Sequence, residues 1–185
     1  MELFYILFFM LTNSAAVFAA DNICFDDNNA FSTQAPTGWV SDTTKAKELG
    51  LCVVYYLKGK DFDTSPAIIY PRLVNSEKEG KPAIEKLLSE DTARLKEKSN
   101  KVKVTDQKSI KNKNDLTFEI RHFRNGPPPN EFEAVAYHAA KKAILISVLS
   151  TRSEKNFDLH IAKLNEFVEK IKPLTQKELE KYRAK

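Results

Sequence analysis

The apolar positions of the chain repeat with two different periods, and these divide it into helices and strands. Ile84, Leu87, Leu88 and Leu95 recur at helical spacing, while Glu85, Lys86, Glu90 and Arg94 lie off that face. Pro82–Ser99 is therefore predicted as an amphipathic helix, with Pro82 suited to its first turn. Phe157, Ile161, Leu164, Val168 and Ile171 make a more regular stripe, which predicts a second helix ended by Pro173. Thr151-Arg-Ser-Glu154 reads as the capping box of that helix. Residues 42–49 suit a short helix stopped by Gly50, and Thr175-Gln-Lys-Glu178 opens a short polar one.

Between the helical stretches the pattern is that of strands. Short strands are predicted at Asn22–Phe25 and Ala30–Gln34, and a buried one at Leu51–Leu57, which is dense in β-formers. Ala67–Asn75 is another, and its Pro71 argues for an edge or a bulge. In Lys101–Ile110 lysine alternates with Val102 and Val104, so one face of that strand is exposed. Leu116–Arg124, Glu131–Ala139 and Ala143–Ser150 read as a three-strand meander joined by Asn125–Asn130 and Ala140–Lys142. Ile144–Leu149 is apolar almost throughout, which places it centrally with both faces covered. Pairing Arg124 with Glu131 sets His122 opposite Glu133, Ile120 opposite Val135 and Phe118 opposite Tyr137. That register joins cation to anion and apolar to apolar, and sends Arg121 and Phe123 to the opposite sheet face.

The start of the chain changes the setting. Met1–Leu11 is apolar, Thr12-Asn13-Ser14 is polar, and Val17 and Ala19 are small residues at −3 and −1 of a cut after Ala19. Residues 1–19 are expected to be a secretory signal peptide; a cut after Ala20 fits less well, because it puts Phe18 at −3. An uncleaved anchor is the alternative, disfavoured by the short apolar run. What remains, residues 21–185, is one domain of ~165 residues, exported to the periplasm or the cell exterior, with no stable membrane insertion after cleavage. In that compartment the pair Cys24 and Cys52 reads as a disulfide, two separate thiols being the alternative.

Charge adds little. Removing residues 1–19 takes away one acid, Glu2, so the net charge rises from +4 to +5. Lysines cluster at 96, 98, 101, 103, 108, 111 and 113, which reads as a solvated surface, a patch for an acidic polymer or lipid headgroup being the alternative; the lack of interleaved aromatics argues against nucleic acid. The histidines His122, His138 and His160 do not stand at metal-ligand spacing, and the chain has neither a glycine-rich phosphate loop nor a Gly-x-Ser-x-Gly elbow. The carboxylate pairs Asp26-Asp27 and Glu90-Asp91 read as solvated turn or surface groups. No catalytic, metal or cofactor-binding residue is therefore named. Glu133 beside His122 has the form of a carboxylate orienting a base, or of a surface cross-strand pair. Three prolines stiffen the hairpin tip, so Arg121, His122, Arg124, Glu131 and Glu133 around it form the candidate interaction edge.

Phe31, Pro36 and Gly38-Trp39 near the mature start, with the hydrophobic order of the elements over about residues 22–173, make the chain resemble the PsbP-like fold family. The resemblance implies an α+β fold, an α/β/α sandwich around an antiparallel sheet. Members of that family mostly bind or scaffold other proteins and share no catalytic set. The expectation is a non-enzymatic binding or assembly module of the cell envelope or extracellular space with a protein partner. The alternative is an exported hydrolase whose site is assembled from residues distant in sequence.

Overall fold

The structure is a computed structural model that describes residues 21–129 and 131–183. The expected signal peptide lies outside the described residues. In chain order the elements are β1 (Asn22–Phe25), β2 (Ala30–Thr33), β3 (Trp39–Asp42), α1 (Thr43–Glu48), β4 (Val54–Leu57), β5 (Ala67–Asn75), α2 (Lys81–Lys98), β6 (Lys103–Lys111), β7 (Thr117–Arg124), β8 (Phe132–Ala140), β9 (Ala143–Thr151), α3 (Glu154–Lys170), β10 (Lys172–Pro173) and α4 (Gln176–Arg183).

Seven strands form one sheet in the order β3-β4-β5-β9-β8-β7-β6, and a small second sheet has the order β1-β2-β10. Every neighbouring pair is antiparallel. β9 is the central strand and all nine of its residues are buried, as its unbroken apolar run requires of a strand covered on both faces. On one face α3 and the small sheet close over Phe118, Ile120, Leu145 and Leu149. On the other, α2 covers Tyr137, Ile144 and Ile146. The result is an α+β fold in three layers, an α/β/α sandwich.

α3 seats the side chains that its stripe predicts. Phe157, Leu164 and Val168 are essentially fully buried, as is Phe167, which the stripe did not include, and each such side chain contributes about 1.5–3 kcal/mol. Its N-cap differs from the expected box. Ser153, not Thr151, accepts the Asn156 N–H, and Thr151 Oγ1 instead donates to the carbonyls of Phe132 and Ser153. The genuine capping box is at α4, where Glu178 Oε2 accepts from Thr175 N at 2.8 Å and Thr175 Oγ1 accepts from Glu178 N at 3.3 Å. Pro71 sits opposite Ser147 of β9 at a point where pairing with β4 has already ended. There its missing N–H breaks no ladder. β6 is an edge strand, and the exposed Lys103, Lys108 and Lys111 guard that edge against pairing with another chain.

The turn Ala35–Trp39 is tied down on α3. Gly38 takes φ +84° there, a conformation that strains any residue with a Cβ. Glu166 Oε1 accepts from Thr37 N at 2.6 Å and Thr37 Oγ1 at 2.7 Å, and Lys163 and Lys170 each donate to the same carboxylate at 2.8 Å. Burial alone raises the Glu166 pKa, but the hydrogen bonds from Lys163, Lys170 and Thr37 outweigh it and hold the carboxyl well below its usual 4.5. A depressed carboxylate pKa stabilises the fold above the unfolded value, and that contribution is lost as pH falls toward the folded value. Glu166→Gln is expected to destabilise the protein by about 1–2 kcal/mol at pH 7. The gap to the parent should narrow steadily below pH 4.5 in urea titrations over a pH series. A gap of constant size down the series contradicts this role.

Candidate functional site

Side chains alternate along strands, so each face of the sheet is a grid of every second residue from neighbouring strands. On the α2 face the registers align three rungs. They are Ile68–Ser150–Glu133–Phe123, then Tyr70–Val148–Val135–Arg121, then Arg72–Ile146–Tyr137–Glu119. The helix that should cover this grid changes character along its length. Ala83 and Ile84 are its buried residues and Leu87 and Leu88 are half-buried. One turn further, the same inner stripe carries Asp91, Arg94, Leu95 and Lys98. The first half of α2 therefore packs on the sheet and the second half leaves a cleft of about 340 Å³, floored by Phe123, Val135, Ile146 and Val148. Pro127, Pro128 and Pro129 of the β7–β8 hairpin form its lip, and Ser99 Oγ, at the end of α2, donates to the Asn125 carbonyl at 3.0 Å to hold that tip in place.

The charges in the cleft are unequally neutralised. Arg121, beside the floor, has its Nε 2.8 Å from Asp106 Oδ1 and donates from Nη1 to the Ile120 carbonyl. Arg94 pairs with Asp91 at 2.8 Å. Arg72 makes no such ion pair among the described residues, and its Nε, like that of Arg121, is buried and lies in no hydrogen bond. Burial pushes the Glu133 carboxyl above its usual pKa, with Ser150 and Arg72 offsetting part of the rise and Asp91 adding to it. Tyr70 and Tyr137 are held well above the ordinary phenol value, again by burial first, so both stay neutral. The cleft thus offers an apolar floor, two phenols, a carboxyl that takes a proton more readily than usual, and an arginine whose buried Nε lacks an acceptor.

Neither a protein-family model nor a curated protein matches the chain. Among solved structures, the solution structure of cyanobacterial PsbP (CyanoP) from Synechocystis sp. PCC 6803 superposes with a TM-score of 0.52 at 10% identity, covering 85% of this chain and 94% of that one. The chain has a PsbP-like fold. The crystal structure of the Saccharomyces cerevisiae Ran-binding protein Mog1p aligns with a TM-score of 0.46 at 12% identity, covering 83% and 95% of the two chains. At 10% identity the likeness to cyanobacterial PsbP is one of fold.

Within this PsbP-like fold the five residues of the predicted interaction edge are divided between the sheet faces. The expected register is one residue out. Arg124 pairs with Phe132, Phe123 with Glu133 and His122 with Ala134, so Glu133 turns to the α2 face, away from His122. The prediction drew its anion for Arg124 from the neighbouring strand. The fold supplies Glu154 and Asp158 of α3 instead, with the guanidinium 4.7 Å from the Phe157 ring centre. His122 stands edge-on to the same ring at 5.1 Å, and burial, then Arg124, lowers its pKa. Arg121 and Glu133 lie on the α2 face, and the Glu131 carbonyl closes the hairpin by accepting from Gly126 N at 3.0 Å. The other histidines also pack on the α3 side, His138 against Phe118 and His160 against Trp39. The hairpin tip and Glu133 nonetheless border the cleft.

Sequence reasoning missed Tyr70, Arg72, Asp91, Lys98 and Tyr137. Two signals were available: Arg72 is a lone charge in the apolar run Ala67–Val74, and Asp91, Arg94 and Lys98 continue the inner stripe of α2. Among the described residues no three His, Cys, Asp or Glu side chains gather into a metal-binding group, and no helix is long and apolar enough to cross a membrane.

Proposed function

We propose that the protein is an exported, non-enzymatic binding module and that the cleft under α2 holds its ligand. The observation that carries this is the Arg72 Nε, a buried donor without a partner in the wall of a cavity. Buried donors are paired almost without exception, so a donor left free at a cleft marks where a ligand completes the hydrogen bonding. The groups lining the cleft suit holding a molecule: an apolar floor with a few convergent polar groups. The imidazoles, the usual proton-transfer groups, pack on the other sheet face. Export is supported by the signal-peptide pattern of residues 1–19 and by the Cys24–Cys52 disulfide.

Screening the 15N-labelled mature protein with a set of small organic fragments tests the reading. The amides of Arg72, Glu133, Tyr137 and Ile146 should respond. Leu95→Trp, which fills the cleft from a half-buried helix position, should abolish the response while leaving thermal unfolding little changed. Responses confined to the α3 face, or unaltered by that variant, overturn the site. The pure protein should also show no turnover of ester, phosphate, peptide or glycoside substrates, and the exported form should begin at Ala20 or Asp21 on N-terminal sequencing.

A further inference from the structure

The chemistry of the cleft narrows what it holds. Its floor is built from the side chains of four adjacent strands, and Tyr70, Phe123, Val135, Tyr137, Ile146 and Val148 present apolar surface there. Asp91 is consumed by Arg94 within the helix. Arg121 is charge-paired with Asp106 at 2.8 Å and donates from Nη1 to the Ile120 carbonyl, although its Nε lies in no hydrogen bond. Arg72 remains as a charge whose Nε is out of water and without an acceptor. Taking a guanidinium donor out of water is costly unless an anion or another acceptor meets it. A carboxylate meets it best, because the planar fork of arginine matches the two carboxylate oxygens. Lys98 lines the same cleft and adds positive potential. Glu133 is the acid that would oppose an anion, and burial favours its neutral form.

We propose that the cleft binds a small apolar molecule bearing a carboxylate, the carboxylate on Arg72 and the apolar body on Tyr70, Val135, Tyr137, Ile146 and Val148. This rests on the reading of the cleft as the binding site. A volume of about 340 Å³ lies at the small end of ligand pockets, which fits a molecule of on the order of a dozen heavy atoms.

Three probes of nearly the same shape and different charge test it: 3-phenylpropanoate, 3-phenylpropanamide and 3-phenylpropylamine. Each is titrated into the 15N-labelled mature protein. The acid should bind at least tenfold tighter than the amide or the amine, with the largest shifts at Arg72, Tyr137 and Ile146. Arg72→Met should remove the preference for the acid, and Arg72→Lys should keep part of it, in proteins whose thermal unfolding shows them folded. The comparison among probes on the parent protein needs no variant, so misfolding of a variant does not blunt the test. Equal binding of all three in the cleft, or tightest binding of the amine, overturns the carboxylate assignment and leaves the cleft as a binding site. Silence of the cleft amides with all three overturns both.

Discussion

Breaking the Cys24–Cys52 disulfide is expected to lower stability by about 3–4 kcal/mol. The bridge joins residues 28 apart in sequence, and a closed loop of that length restricts the unfolded chain by that amount in the chain-entropy account. The folded side also depends on it. β1 has four residues and, among the described residues, pairs with β2 alone, which in turn has two rungs with β10. Cys24, 1% exposed, joins the core cluster of the α3 face together with Phe31. The bridge thus pins a weakly paired strand to the segment leading into β4. Urea unfolding of the mature protein with and without a reductant measures the effect. The midpoint should fall by about 1–4 M, given slopes usual for small proteins, and Cys24→Ala/Cys52→Ala should behave like the reduced protein. An unchanged midpoint in both contradicts the role given to the bridge.

Asn112→Ala is expected to cost about 3–4 kcal/mol, a large loss for one side chain outside any helix or strand. Asn112 is 4% exposed. Its Nδ2 donates to the carbonyls of Val168 and Ile171 at 2.9 and 3.0 Å, and its Oδ1 accepts from Asn114 N and Leu116 N at 2.9 and 3.1 Å. The last carbonyls of a helix have no partner within it. This side chain caps α3 from the β6–β7 turn and fixes the turn by the same four bonds. Alanine removes all four bonds, each worth about 1 kcal/mol, and leaves the Asn114 and Leu116 N–H groups without these acceptors, while the Val168 carbonyl keeps the Ile171 N–H and the Ile171 carbonyl keeps Asn114 Nδ2. Asn112→Asp keeps the acceptor and replaces the donors by an anion facing two carbonyls, so its loss should be at least as large at neutral pH. Denaturant melts of both variants measure this, and losses below 1 kcal/mol would show that α3 ends without the cap.

The elements with a strong period were legible in the sequence, and the arrangement of charges was not. The stripes of α2 and α3 are built from residues close together in the chain, and the uninterrupted run of β9 required burial on both faces. The register of β7 against β8 depended on where Arg124 finds its anions. Those are Glu154 and Asp158, 30 and 34 residues away, which no local pattern shows. Trp39–Asp42 escaped notice as a strand because it has four residues and only Trp39 is buried. The cap of α3 was misplaced by two residues because Thr151 and Ser153 are both able to cap, and the choice was made by the Phe132 carbonyl that Thr151 serves. The cleft was hidden for a similar reason. Its floor is a mosaic of alternate residues from β5, β9, β8 and β7, and Arg94, assigned to the outer face of α2, lines its wall beside Asp91 and Lys98.

The most direct test of the binding cleft is a crystal structure of the mature protein grown with 3-phenylpropanoate. The expected result is the phenyl ring over Val135 and Val148, beneath the second half of α2, with a carboxylate oxygen within hydrogen-bonding distance, about 2.7–2.9 Å, of Arg72 Nε. The contradicting result is a cleft without the acid, with Arg72 turned out to solvent or paired with Glu133.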